Sequence, residues 1–176
     1  MDALTLATLV LAVTAVVALG LTVRQVLAVS RQTQLSVVVE SFREARAPEW
    51  FEARDWIFEH LADECAPDRG ISGLPPHARA MIRKVGFLYD NLGLLVIHKV
   101  VPEELVIGFF GEGMCKQWAR LEPYINTESK ISGVDYMVYF RWLVCRANIR
   151  PAAEIQRKLG VRWLDAEGGT YHTTSH

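Results

Sequence analysis

Histidine and cysteine are side chains that often hold transition metals, and cysteine can also act as a nucleophile, but their spacing in this sequence favours neither role. The histidines are His60, His77, His98, His172 and His176, and the cysteines are Cys65, Cys115 and Cys145. No H-E-x-x-H or C-x-x-C pair occurs among them, and the single H-x₃-H spacing, His172 and His176, falls in the predicted tail, where we expect surface residues. We interpret the closeness of His60 and Cys65 as chance. The sequence therefore predicts no metal site, no cofactor site and no disulfide framework.

A glycine-rich segment at residues 108–113 invites comparison with a phosphate-binding loop. It lacks both the G-K-[ST] ending and the full G-x-G-x-x-G frame, and it follows a predicted helix instead of a strand. No G-x-S-x-G element is present. The carboxylate pairs Glu103/Glu104 and Asp63/Glu64 lie at predicted helix ends, where the helix dipole accounts for them. We therefore predict no catalytic residue and a protein that is not an enzyme.

Basic residues are concentrated towards the C-terminal end of the chain. They are Arg141, Arg146, Arg150, Arg157, Lys158 and Arg162. Arg146 and Arg150 are four positions apart and share a helix face, while Glu154 and Asp165 dilute the cluster. Two interpretations remain open: a solvated face with one arginine paired to Asp90, and a surface that binds phosphate or an acidic partner.

Two tryptophans and two polar residues complete the candidate interaction residues. Trp118 and Trp163 suit either a partner interface, where tryptophan is common, or the core of the domain. Asp90 and Asn91 fall in the middle of a predicted helix that is apolar around most of its girth. We expect them to be buried and to hydrogen-bond an arginine, a tyrosine or helix-end backbone. If they reach a cavity instead, they would line a polar pocket.

The elements that position these residues begin with an apolar segment at residues 3–23, which contains no charged residue. At about 1.5 Å per residue, this segment reaches roughly the 30 Å of a hydrocarbon core. Only Asp2 precedes it, without a Lys or Arg, which argues against a cleaved secretory signal. The residues that follow include Arg24, Arg31, Arg43 and Arg46. The positive-inside rule then predicts a single-pass anchor in the inner (cytoplasmic) membrane, with the N-terminus outside and the C-terminal domain cytoplasmic.

The remainder of the chain predicts an all-α fold. We divide it into a transmembrane anchor (1–23), a helical stalk (24–46), a cytoplasmic helical domain (47–165) and a flexible tail (166–176). The predicted helices of the domain are Pro48–Asp63, Pro76–Lys99, Leu105–Phe110, Met114–Tyr124, Val134–Cys145 and Pro151–Leu159. Gly111 and Gly113 are expected to break a helix, as are residues 126–129. A buried strand is the alternative for Val134–Cys145, because tyrosine, valine and phenylalanine favour sheets.

Composition limits the class of protein. The 176 residues are 51% apolar, which excludes disorder over most of the chain. The 19 Lys and Arg residues against 20 Asp and Glu residues give a formal charge of −1. Because nucleic-acid-binding chains usually carry a basic excess, no nucleic-acid partner is predicted.

One stretch of the chain resembles a known family. Residues 86–96 (GFLYDNLGLLV) are followed by 102–106 (PEELV), Phe110-Gly111 and 118–125 (WARLEPYI). This order resembles a widespread bacterial family known only as a domain of unknown function, over about residues 40–150. The resemblance implies an N-terminal membrane helix and a small cytoplasmic helical domain. It implies no catalytic residue.

Two functions are compatible with these observations. The first is a non-catalytic accessory or scaffold subunit, whose helical domain docks onto a larger respiratory, photosynthetic, transport or signalling complex in the membrane. The second is a small-molecule-sensing or signalling module with a polar pocket around Asp90 and Asn91. The predicted partners are the lipid bilayer, through residues 3–23, and a membrane protein complex, and homo-oligomerisation is left open.

Overall fold

The computed structural model describes residues 14–22, 24–25, 36 and 39–160. The chain divides into two units, Met1–Glu40 and Ser41–His176. In the first unit, residues 14–22 are helical and exposed. Within the described ranges, no helix is long and apolar enough to cross a membrane. Residues 3–13 of the predicted anchor, most of the predicted stalk and the predicted tail lie outside those ranges.

The described part of the second unit consists of helices and their connections. We label them α1 (Pro48–Glu59), α2 (Leu61–Glu64), α3 (Pro76–Ile97), α4 (Glu103–Ser132), α5 (Val138–Ile149) and α6 (Ala152–Lys158), with a short 3₁₀ helix at Pro67–Arg69. No strand occurs between residues 39 and 160. The predicted all-α fold is therefore confirmed, and the strand alternative for Val134–Cys145 is wrong.

Helix α3 is the centre of the domain and packs against α1, α4 and α5. It begins at Pro76, where the missing N–H of proline would have no partner inside the helix in any case. Its buried apolar side chains recur at helical spacing and include Ile82, Val85, Leu88, Tyr89, Leu92 and Val96. The prediction of a long central helix is confirmed.

Helix α4 corrects the prediction of two short helices, because it continues without a break from Glu103 to Ser132. Gly108 and Gly111 serve close packing instead of ending the helix, whereas a Cβ atom at Gly113 would meet nothing within 4 Å. A Cβ atom at Gly111 would lie 3.3 Å from the Cβ of Ala152, and one at Gly108 would lie 3.3 Å from Cγ2 of Ile155. Both neighbours belong to the segment of α6, so these glycines allow α6 to approach α4 closely.

The polar residues at 126–129 also fail to end α4. The hydroxyls of Thr127 and Ser129 donate to backbone carbonyls four residues earlier, those of Pro123 and Ile125. Such bonds let Ser and Thr remain inside a helix. The helix ends instead at Gly133, whose φ of +70° is the left-handed conformation typical of a helix terminus.

Helix α5 begins at Val138, four residues after the predicted start. It crosses α3 where α3 carries two glycines. Gly86 faces the side chain of Met137, and Gly93 faces the backbone of Tyr139. These glycines are seven residues apart and therefore lie on one face of α3. The close crossing brings the middle of α3, where Asp90 lies, to the N-terminus of α5.

Candidate functional site

Asp90 is a structural cap, whereas Asn91 is exposed. Asp90 Oδ1 accepts a hydrogen bond from the backbone N–H of Phe140, at 3.0 Å. This N–H is one of those in the first turn of α5 that no helical carbonyl can satisfy. The expected bond to helix-end backbone is thus present for Asp90. The expected burial is only partial for Asp90, which is half-buried, and is wrong for Asn91, which lies on the exposed side of α3.

Replacing Asp90 by alanine should lower the free energy of unfolding by about 1 kcal/mol, since the cap of α5 is lost. The matched control is Asn91→Ala on the same helix, which should leave stability within about 0.5 kcal/mol of wild type. Chemical denaturation of both variants measures the difference. Equal stabilities for the two variants would contradict the assignment of Asp90 as a cap.

Arg141 and Trp118 pack together inside the domain. The Arg141 guanidinium donates to Asn126 Oδ1 at 2.7 Å and lies 5.7 Å from the centre of the Trp118 ring. Trp118 is buried and makes an edge contact with Phe140, with ring centres 5.0 Å apart. These contacts correspond to the core interpretation of Trp118. Trp163, like Arg162, lies outside the described residues.

Arg146 and Arg150 connect the end of α5 to the start of α4. Arg146 donates through Nε and Nη2 to the Glu103 carboxylate, at 3.0–3.2 Å. Arg150 donates to Glu104 at 3.1 Å. The pKa of Glu104 is lowered by a hydrogen bond from backbone N–H and by the bond from Arg150. Both arginines therefore already have carboxylate partners, neither of which is Asp90.

A pocket of about 450 Å³ lies elsewhere in the domain, between α1, α3, α4 and the residues just before α1. Six of its thirteen lining residues are aromatic: Trp50, Phe51, Phe58, Tyr89, Phe109 and Phe110. The Tyr89 ring meets Trp50 and Phe110 edge-on, with centres 6.1 Å apart in each pair. Its volume falls within the range of sites that hold small molecules. Neither Asp90 nor Asn91 lines it.

One residue that lines this pocket, Gln117, has a buried side-chain amide. Gln117 is 1% exposed, and neither Nε2 nor Oε1 has a hydrogen-bond partner among the described residues. The indole N–H of Trp50, also in the wall, has none either. Gln156 shows the usual arrangement, since its amide donates to the carbonyl of Gly108 at 2.7 Å. A buried polar group without a partner destabilises a fold and requires an explanation.

The lining of the pocket contains more cationic than anionic side chains. Arg46, Arg54 and Lys116 contribute to its lining, against the single carboxylate of Asp55. Arg54 pairs with Asp55 and Lys116 with Glu112, each at 2.7 Å. Arg46 lies 5.9 Å from the centre of the Phe109 ring and forms no ion pair with a described residue. Burial raises the pKa of Tyr89, so its hydroxyl is neutral.

The lining offers aromatic rings and charged side chains to a small molecule. Among the described residues, no group of three or more His, Cys, Asp or Glu side chains is placed to hold a metal ion.

The family model described as Domain of unknown function (DUF4760) matches residues 5–147. The chain belongs to this family. No curated protein and no solved structure matches it.

The DUF4760 match contains every residue that lines the pocket, from Ala45 to Gln117. The match also confirms the resemblance, seen in the sequence, to a family known only as a domain of unknown function. Its implied membrane helix and bacterial origin stay predictions.

Sequence reasoning about this DUF4760 chain missed Trp50, Tyr89 and Gln117 as site residues. One signal was present in the sequence. Phe110, Met114 and Leu121 form an apolar stripe along α4, and Gln117 interrupts this stripe at a position where burial is expected. A lone amide in such a stripe indicates either a buried hydrogen bond or a ligand contact.

Proposed function

We propose that this DUF4760 protein is a non-catalytic, membrane-anchored module that binds a small molecule in the pocket between α1, α3 and α4. The observation that carries the proposal is the Gln117 amide, buried in the wall of a pocket of about 450 Å³ with both its polar atoms unpartnered. The amide is closed to water in this structure, so it would turn toward the pocket and receive the missing hydrogen bonds from a bound molecule. The sensing function considered from the sequence is thus retained, with its pocket moved from Asp90 and Asn91 to Gln117.

The position of the pocket supports a sensing role. Ala45 and Arg46 contribute to its wall, and they lie in the short segment that precedes α1. Phe42, earlier in this segment, stacks on Phe110 with ring centres 5.3 Å apart. A bound molecule would contact both this segment and α4, so binding would stabilise the beginning of the domain.

A fragment screen on the full-length chain in mild detergent tests the proposal. Gly113 offers a way to block the pocket, because it lines the pocket and a Cβ atom there would meet nothing within 4 Å. The blocked variant is Gly113→Leu, and the control is Ala119→Leu at an exposed position of the same helix. Ligand-observed NMR should find fragments that bind wild type and Ala119→Leu but not Gly113→Leu. Fragments that bind all three proteins equally, or no fragments at all, would contradict the proposal.

Membrane anchoring through residues 3–23 is part of the proposal and is supported by the absence of charge in that segment. Alkaline carbonate washing of native membranes tests it, because this treatment removes peripheral proteins and leaves spanning proteins in the pellet. The chain should remain in the pellet. Its release into the supernatant would contradict a spanning anchor.

Docking onto a larger membrane complex is the second proposal, supported by the same predicted anchor, which would confine the domain to the membrane surface. Gentle detergent extraction, followed by sizing and mass spectrometry, tests it. A stoichiometric membrane protein partner is the expected result. A monomer or homodimer would contradict an accessory subunit and would leave the ligand-binding proposal standing.

A further inference from the structure

The pocket combines three recognition elements whose chemistry limits the class of ligand. An amide such as that of Gln117 offers one acceptor and two donor hydrogens side by side. Both its polar atoms lack a partner among the described residues, and the residue is 1% exposed, so the amide must turn toward the pocket to contact a ligand. Its natural complement is a group with an adjacent donor and acceptor, which a lactam or amide edge provides.

The second element is the aromatic wall. The rings of Trp50, Tyr89 and Phe110 form a connected series, with successive centres 6.1 Å apart. Aromatic faces and edges favour a flat, unsaturated ligand over a flexible chain of the same volume.

The third element is the unbalanced positive charge. Of the three cations that contribute to the lining, Arg54 and Lys116 already have carboxylate partners. Arg46 has none among the described residues and is exposed, so its guanidinium is free to receive an anion. A guanidinium binds carboxylate and phosphate with a matching geometry.

We infer that the ligand is a planar anion that carries a hydrogen-bond donor and acceptor side by side on its ring: the ring edge pairs with Gln117, and the anionic group pairs with Arg46. This inference rests on the proposed function and specifies its ligand. Heterocyclic carboxylates and nucleotide phosphates share this chemistry.

Three small probes separate the elements of the inference. Orotate has a lactam edge and a carboxylate, uracil has the same edge without the carboxylate, and benzoate has the carboxylate without the edge. Dissociation constants from ligand-observed NMR on the full-length chain should rank orotate about tenfold tighter than benzoate, because two neutral hydrogen bonds are added. Orotate should bind about threefold tighter than uracil, as expected for one exposed ion pair.

Two variants assign these differences to residues. Gln117→Met should abolish the advantage of orotate over benzoate, and Arg46→Gln should abolish its advantage over uracil. Equal binding of orotate and benzoate to wild type would overturn the pairing with Gln117. Equal binding of orotate and uracil to wild type would overturn the pairing of an anionic group with Arg46.

Failure of the inference and failure of the proposed function give different results. If none of the three probes binds while the fragment screen returns binders that Gly113→Leu loses, the ligand class is wrong and the pocket still binds small molecules. If neither probes nor fragments bind, both are wrong. A fourth probe, uridine 5′-monophosphate, carries a phosphate and distinguishes the sources of the anion. Tighter binding than orotate favours a nucleotide, and weaker binding favours a heterocyclic carboxylate.

Discussion

Replacing Gly93 by alanine should lower the free energy of unfolding by about 2–3 kcal/mol, because the added methyl group overpacks the crossing of α3 and α5. The new Cβ atom would lie 2.7 Å from the backbone carbonyl carbon of Tyr139 and closer still to its oxygen. Backbone inside α5 can give way only if the two helices separate. In an open helical position the same substitution would stabilise the helix by about 1 kcal/mol.

Gly86→Ala is the matched control for Gly93→Ala. Gly86 is also buried on α3 and also faces the α5 side, but a Cβ atom there would meet the end of the Met137 side chain, with its sulfur at 2.5 Å. A methionine side chain is flexible and can change rotamer. Urea denaturation should therefore show a loss of no more than about 1 kcal/mol for Gly86→Ala. Equal losses at the two glycines would contradict the close backbone contact between α3 and α5.

Replacing Gln117 by methionine should raise the free energy of unfolding by about 1–2 kcal/mol, because a buried amide without partners is exchanged for an apolar side chain of similar shape. The same change removes the hydrogen bonds to a ligand, so stability and binding should move in opposite directions. Such opposition is characteristic of a binding site whose polar groups are unsatisfied in the free protein.

Gln156→Met is the control for Gln117→Met. The Gln156 amide is hydrogen-bonded to the carbonyl of Gly108, and its loss should lower the free energy of unfolding by about 1 kcal/mol. The two methionine variants should therefore shift the melting temperature in opposite directions. A lower melting temperature for Gln117→Met would indicate that Gln117 has a structural partner, and would contradict the role given to it.

The sequence predicts the helices of the domain where apolar spacing and a terminal signal coincide. Pro76 and the apolar repeat that follows it mark α3, and Pro151 marks α6, whose first residue is Ala152. Helix α4 was divided incorrectly because glycine has two roles in helices. Gly111 lies where α6 packs closely, and only the position of another helix distinguishes this role from that of a helix breaker.

The candidate site was less predictable than the fold, because it depends on which groups lack partners in three dimensions. Asp90 is recognisable in the sequence as a polar residue in an apolar helix, yet its partner is the N–H of Phe140, 50 residues away. Gln117 gives the same local signal. Asp90 is satisfied and Gln117 is not, and this difference arises only when the helices pack together.

NMR of the Gln117 side-chain amide tests the central claim most directly. The full-length chain, labelled with ¹⁵N at glutamine, gives side-chain signals for five glutamines, and the spectra of Gln117→Met and Gln156→Met assign two of them. During a titration with orotate, the Gln117 signal should shift and saturate while the Gln156 signal stays in place. A Gln117 signal that does not move while orotate binds, or that moves no more than that of Gln156, would contradict a ligand site at this residue.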